Sequence, residues 1–422
     1  MMVLLMKKNK VLEYRDNLLT FLLIANSGMP FFTNNPWVLV YSLFFTAMFI
    51  KKYQYYSHRF FLITIGSLAL LVIGQTIVFK LFSLKTTISL FVRWSYPFIY
   101  LYVIKDKFFD KYVNVLYILT IISLILHFSL IIFPPLQDIL NSLSKYFNQT
   151  PTGVYSYNPN IVIFTTPARF IIDGVAIFRR NSGPFWEPGA FGIYLVLAFI
   201  INFYLTKNIW NKKNLVFLLA ILTTWSTGTF VSIFFFIGLY GILIIRKKIY
   251  TLLIIPILLL AISQSYNKLS FFSDRIDRSI LYFKERDQVS NMRRDRMISA
   301  IVDIQKLIKS PILGYGRIQQ IRTGHEKFDT IIDHRNNGTT DFFVKYGIIF
   351  SLYYFMMIRR SFFYFNDSKK KSKIFADIVI ATILLLGFYE VIFQMPVFIT
   401  LYYFSVFFIR KEQYANTNYL SK

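Results

Sequence analysis

The chain contains no cysteine, which excludes a disulfide framework, a thiolate metal site and a cysteine nucleophile. Acidic residues are scarce: 21 Asp and Glu stand against 47 Lys and Arg, leaving a formal charge of +26. An excess of that size points to nucleic acid only where the cations form a continuous patch. Here most of them sit in short clusters between apolar runs, so they read as markers of orientation in a bilayer, and no nucleic-acid partner is expected. Histidine is rarer still, at four residues, and no His cluster or Asp-rich pair has metal-ligand spacing. The sequence therefore requires no metal and no cofactor. Internal repeats and long low-complexity tracts are absent. No small-residue cleavage site follows the basic residues 7–15, so no cleavable signal peptide is expected.

What the chain does have is apolar length: 55% of its residues are hydrophobic and 47 are Phe. A bilayer-spanning helix needs roughly 20 mostly apolar residues. Spans are expected near 17–34, 36–50, 60–79, 86–104, 113–133, 188–206, 214–226, 229–245, 249–263, 341–358, 374–392 and 395–409. The expected fold is an all-α polytopic membrane protein with about twelve transmembrane helices, forming a single integral domain over residues 1–422. Basic clusters test the count, because they favour the cytoplasmic side. The N-terminal tail, Lys51/Lys52/Arg59, Lys105/Lys107/Lys111, Lys207/Lys212/Lys213, Arg246/Lys247/Lys248, Arg359/Arg360 with Lys369 to Lys373, and Arg410/Lys411 all fall on one side with twelve spans. Both termini are then cytoplasmic. Two long segments, 134–187 and 264–340, become external loops, and long loops in a compact assembly usually carry function. Within 274–309, Met297, Ile298, Ile301, Ile304, Leu307 and Ile308 have helical spacing, which predicts an amphipathic surface helix ended by Pro311 and the turn Gly314-Tyr315-Gly316.

Charge inside a span is costly and usually faces a partner or a polar cavity. Arg93 lies roughly seven residues, or about 10 Å, inside the outer end of the fourth span. Glu187 and Glu390 stand at the outer ends of two others. Arg179, Arg180, Arg293, Arg296 and His334 are expected outside as well, with Asn336 and Asn337 just before the span at 341–358. Asp377 is the exception, at an inner end among lysines. Such a gathering suits a substrate with an anionic head at the outer leaflet. Arginines bind phosphate bidentately and stabilise charge on a departing pyrophosphate. The candidates for that role are Arg180, Arg296, Arg179, Arg293 and Arg93, with Asn336, Asn337 and Glu390 as further binding residues. A hydroxyl nucleophile needs a proton acceptor, and the candidates are His334 and Glu187. The helix start and the neighbouring arginines weaken Glu187 as a base and suit it to orienting an arginine, so His334 is the preferred acceptor.

Three stretches carry a resemblance. Arg180 to Gly189 holds an arginine-x-x-glycine with Phe and Glu-Pro-Gly leading into a span. Arg296 precedes Pro311, Gly314 and Gly316 in an outer helix ending in Pro-x-x-Gly-x-Gly. His334, Asn336 and Asn337 precede Tyr346-Gly347. With these, the chain resembles the O-antigen polymerase and O-antigen ligase superfamily of bacterial envelope glycosyltransferases. It departs from the family pattern where Arg335 separates His334 from Asn336, and it has no Arg-x10-Gly repeat. The resemblance implies a donor glycan on undecaprenyl pyrophosphate, an acceptor glycan-lipid, and transfer on the outer face of the bacterial cytoplasmic membrane. A chain-length regulator and a flippase are the partners it implies. The Glu-Pro-Gly-Ala-Phe-Gly form favours a polymerase of O-antigen, capsular or exopolysaccharide units. A ligase that passes a finished glycan to lipid A core, or a flippase for the same lipid-linked sugars, are the alternative expectations.

Overall fold

The computed structural model describes residues 2–50, 58–147, 159–166, 169–172, 175–246, 296–318, 321, 337–365 and 368–419. The expected span at 249–263 and most of the loop 264–340 lie outside them. In order, the first helices are α1 (Met2–Ala25), α2 (Pro30–Thr33), α3 (Pro36–Ala47), α4 (His58–Phe79), α5 (Leu84–Ile104), α6 (Phe108–Ile132) and α7 (Leu136–Ser144). A small antiparallel hairpin follows, β1 (Arg169–Ile172) with β2 (Val175–Arg179), pairing Arg169 with Arg179 and Phe170 with Phe178. Then come α8 (Pro188–Thr206), α9 (Lys212–Thr224), α10 (Thr227–Tyr240), α11 (Arg296–Lys309), α12 (Gly338–Arg360), α13 (Lys369–Tyr389) and α14 (Pro396–Tyr419).

The boundaries follow local chemistry. The Asn35 side chain accepts from Trp37 N at 3.0 Å and Pro36 opens α3, a proline placed where its missing N–H costs nothing. Ser83 caps α5. Lys105, at φ 57°, breaks the chain between α5 and α6, and Trp225, at φ 46°, does the same between α9 and α10. Proline also starts α8 and α14.

Among the described residues, six stretches are long and apolar enough to cross a membrane: His58–Phe79, Leu84–Ile132, Pro188–Thr206, Thr227–Ile245, Gly338–Arg360 and Lys369–Tyr389. The second contains both α5 and α6. Trp37–Ala47 and Pro396–Phe407 are shorter apolar helices. The expected span at 17–34 is helical only to Ala25 and resumes for one turn at Pro30. The one at 214–226 is the 13-residue α9, about 20 Å long and shorter than a bilayer core.

Burial is uneven, and that decides which helix the bundle is built around. In α8, 83% of the most apolar stretch is buried, against 17% in α4. A helix that is apolar all round belongs inside, and α8 packs against α6, α9, α10 and α13. Buried hydroxyls tie the helices together: Thr20 Oγ1 to Tyr100 Oη at 2.8 Å, Thr64 Oγ1 to Tyr402 Oη at 2.9 Å, and Tyr112 Oη donating to Tyr194 O at 3.1 Å. Each such contact inside a membrane bundle contributes about 0.6 kcal/mol on average.

The amphipathic helix expected on the outer surface is found from Arg296, and it packs lengthwise against α12, burying Ser299, Ala300 and Asp303. Thr340 Oγ1 donates to Asp303 Oδ2 at 2.8 Å. The turn after α11 then substitutes for a missing stretch of helix. At Gly347, φ 73° and ψ 171° break α12. Val344 O and Lys345 O, which an unbroken helix would satisfy one turn later, accept instead from Tyr315 N at 2.7 Å and Gly316 N at 3.1 Å. Ile348 N donates to Pro311 O at 2.7 Å. Irregular backbone among membrane helices is tolerated only when buried and satisfied in this way.

Candidate functional site

The segment after β2 is held rigidly before it reaches α8. Asn181, fully buried, accepts on Oδ1 from Ser123 Oγ at 2.7 Å and Gly183 N at 2.9 Å. Its Nδ2 donates to Thr223 Oγ1 at 3.0 Å, and its backbone N donates to Thr223 O at 2.9 Å. Phe185 stacks on Tyr194 with ring centroids 4.3 Å apart. This fixes Arg180, whose Nε donates to Thr224 O at 3.0 Å at the tip between α9 and α10.

Glu187 occupies the N-cap position of α8 but makes no capping bond. Its carboxyl turns to that of Glu390, which follows α13, and the two are hydrogen-bonded. A methyl on Gly189 would lie 3.2 Å from Glu187 Oε1, 3.6 Å from Glu390 Oε1 and 3.7 Å from Ser226 Oγ, so three polar side chains meet at one point. Arg296, the first residue of α11, closes the other side. Its Nε donates to Tyr389 O at 3.0 Å, its guanidinium lies 5.6 Å from the Tyr389 ring centre, and its Nη2 is 3.6 Å from Glu390 Oε1. The start of α12 abuts the same place, because a methyl on Gly338 would come within 2.2 Å of Glu390 O.

Two touching carboxyls cannot both ionise cheaply. Burial first, then the hydrogen bond and charge of Glu187, hold Glu390 well above the usual carboxylate range, with Arg296 opposing the shift. Burial lowers the Arg180 pKa, and the Glu187 charge partly restores it. With one proton shared by the carboxyls, the described residues of the cluster set two guanidiniums against one negative charge. The Arg296 side chain remains 44% exposed, so the cluster is open to a ligand.

Of the residues expected to act, the structure brings four together: Arg180, Glu187, Glu390 and Arg296. Asn337 lies beside them as the cap of α12, its Oδ1 accepting from Thr339 N and Thr340 N at 3.1 Å each. Its Nδ2 is buried with no partner among the described residues. Arg93 is elsewhere, deep in α5 with Arg317 and Tyr346. Arg179 closes β2, with only its backbone described. Arg293, His334 and Asn336 lie outside the described residues. Ser226, Tyr389 and Asn181 were not anticipated. The break Ser226-Thr227-Gly228 between two short apolar runs was the available signal for the first. Among the described residues, no three His, Asp or Glu side chains gather to hold a metal ion. Comparisons with protein families, curated proteins and solved structures give no match.

Proposed function

We propose that the chain is a membrane glycosyltransferase that polymerises undecaprenyl-pyrophosphate-linked oligosaccharide units on the outer face of a bacterial cytoplasmic membrane. The observation that carries this reading is the meeting of Arg180 and Arg296 around the Glu187–Glu390 pair at one end of an apolar helix bundle. Each arginine has its Nε committed to a backbone carbonyl, which holds the guanidinium plane and leaves Nη donors for an anion. In the reaction, an acceptor sugar hydroxyl attacks the anomeric carbon of the donor. The bond from that carbon to the pyrophosphate oxygen breaks, and lipid pyrophosphate leaves with the electron pair onto Arg180 and Arg296. The hydroxyl proton passes to His334, while Glu187 and Glu390 orient the arginines. The reading takes the twelve-span arrangement with both termini inside, so that this end of the bundle faces outward.

The test is synthesis by purified protein from a single lipid-linked repeat unit. A ladder of lengthening lipid-linked glycan is expected. Transfer only to a lipid A core acceptor would make the chain a ligase. Movement of intact lipid-linked glycan across vesicles, with no new glycosidic bond, would make it a flippase.

A further inference from the structure

A second cluster of unsatisfied donors lies deeper in the bundle. Arg93 Nε, Arg317 Nη1 and Tyr346 Oη are all buried with no hydrogen-bond partner among the described residues. The two guanidinium charges act on each other and on Tyr346. Buried donors are almost always paired, and an unpaired charged one is the costliest kind. The nearby carboxylate of Asp341 is bonded to Lys345. Among the described residues, the cluster sets two arginines and Lys345 against the one carboxylate of Asp341. Tyr346 is eight residues along α12 from Gly338, about 12 Å of helix axis, so this is a different place.

Two of the donors, Arg317 and Tyr346, reach a shallow cleft between α4 and α5. Arg317 and Tyr346 line its inner wall with Gln75, while Thr86, Thr87 and Leu90 line the α5 side. Arg93 stands one turn beyond Leu90 on the same face of α5. Gln75 donates to Leu313 O at 2.7 Å and Lys345 O at 3.1 Å, which fixes the wall that carries Arg317. Among the described residues the surface around the cleft is apolar and exposed: Ile73 and Ile77 on α4 are 56% and 70% exposed, and Leu84 and Ile88 on α5 are 63% and 52% exposed. A cationic, donor-rich wall beneath an apolar rim fits a molecule with an anionic head and a hydrocarbon tail.

We propose that this cleft binds the phosphate of an anionic membrane lipid. Arg93 and Arg317 supply the charge, the Tyr346 hydroxyl supplies a third donor, and the acyl chain lies against the exposed faces of α4 and α5. The site is independent of the glycosyltransferase reading. Phosphodiester and free phosphate share the recognition chemistry, and the apolar rim selects the lipid.

The experiment titrates the full-length protein, purified in a neutral detergent, with short-chain phosphatidylglycerol, with phosphatidylcholine and with inorganic phosphate. Thermal midpoint and native mass spectrometry are the readouts. Phosphatidylglycerol should raise the midpoint and remain as a one-to-one adduct, at affinities the other two do not match. Arg317→Gln and Arg93→Gln should each weaken it by about tenfold to a hundredfold, the loss of one charge-assisted contact. Tyr346→Phe keeps the ring packing and should weaken it severalfold, so the test survives if an arginine variant fails to fold. Arg360→Gln, at the other end of α12, should change nothing. Equal stabilisation by inorganic phosphate would overturn the lipid assignment and leave a free-anion site. Unchanged phosphatidylglycerol affinity in Arg317→Gln and Tyr346→Phe would overturn the site, with a carboxylate of this chain as the counter-charge.

Discussion

Glu187 and Glu390 are hydrogen-bonded carboxyl to carboxyl, one at the start of α8 and the other just past the end of α13. The pair needs one proton to be stable, and that gives the folded chain a pH dependence of definite sign. In strong acid Glu390 is protonated whether the chain is folded or not, and it contributes no slope. As pH rises past the ordinary carboxylate range, the unfolded chain releases the proton while the folded chain keeps it, so stability falls until the folded group ionises too. The wild-type unfolding midpoint in detergent should therefore decline as pH rises above the ordinary carboxylate range. Glu390→Gln keeps a neutral hydrogen-bonding side chain at every pH and should flatten that decline. An unchanged slope would mean that the two carboxyls do not share a proton.

Arg180 and Arg296 each use Nε on a backbone carbonyl, at Thr224 and Tyr389, while the other nitrogens face the carboxyl pair. Lysine has a single ammonium and cannot hold both contacts. Arg180→Lys and Arg296→Lys should thus be nearly as damaging as alanine, lowering turnover by roughly 10²–10³-fold at normal protein levels. Full polymer synthesis by the lysine variants would reduce these arginines to anchors of the loop and of α11.

Gly347 carries the break in α12 at φ 73° and ψ 171°, a region essentially closed to side chains. A methyl there would also lie 1.9 Å from Ile312 O. Gly347→Ala should cost about 1–3 kcal/mol from backbone strain alone, with the clash adding to it. The checks are a lowered unfolding midpoint and loss of the ordered turn 310–316. A midpoint within error of wild type would show that the break is not needed.

Much of the helical framework was legible in the sequence, because apolar length and caps are local signals. The spans expected from 188 and 395 begin in the structure at Pro188 and Pro396, while those expected from 214 and 374 begin earlier, at Lys212 and Lys369, after the caps Asn211 and Ser368. Four charged residues were legible as a set because unusual charges near span ends have few uses. Their mutual contacts were not, since the meeting of Glu187 with Glu390 depends on α8 and α13 sharing one end of the bundle. The Tyr346-Gly347 pair was noticed as a motif, but nothing local shows that the turn at Gly314 and Gly316 supplies the hydrogen bonds lost at the break. Arg317 was missed altogether: in sequence it is one cation in a long polar segment. It becomes conspicuous only when Arg93 and Tyr346 are placed beside it. The hairpin β1–β2 was also missed, although the sequence carries its signal, Asp173-Gly174 between two short apolar runs.

The proposed orientation makes a separate prediction. Labels at Gln149 and Gln288 should be reached by an impermeant reagent in intact spheroplasts, and labels at Asn211 and Ser368 should not. Protection of Gln288 would turn the second half of the chain over and place Arg296 on the wrong side for an outer-face transferase.

The last prediction concerns the proton acceptor. A sugar hydroxyl is a poor nucleophile unless its proton leaves as the bond forms. Glu187 is poorly suited to receive it: it begins α8, where the helix dipole favours the anion, its charge acts on Arg180, and its carboxyl already bonds that of Glu390. Those contacts make it a positioning residue for the arginines. An unperturbed imidazole changes charge near neutral pH, which is why His334 is the proposed acceptor. In vitro polymerisation followed against pH separates the two. His334→Ala should remove most of the rate and the acidic limb of the profile, because that limb reports protonation of the base. Glu187→Gln should keep the limb and mainly raise the apparent KM, since it loosens the arginines without removing the acceptor. If His334→Ala retains both rate and limb while Glu187→Gln loses them, the carboxyl pair is the base, and the arginines are held by their backbone contacts alone.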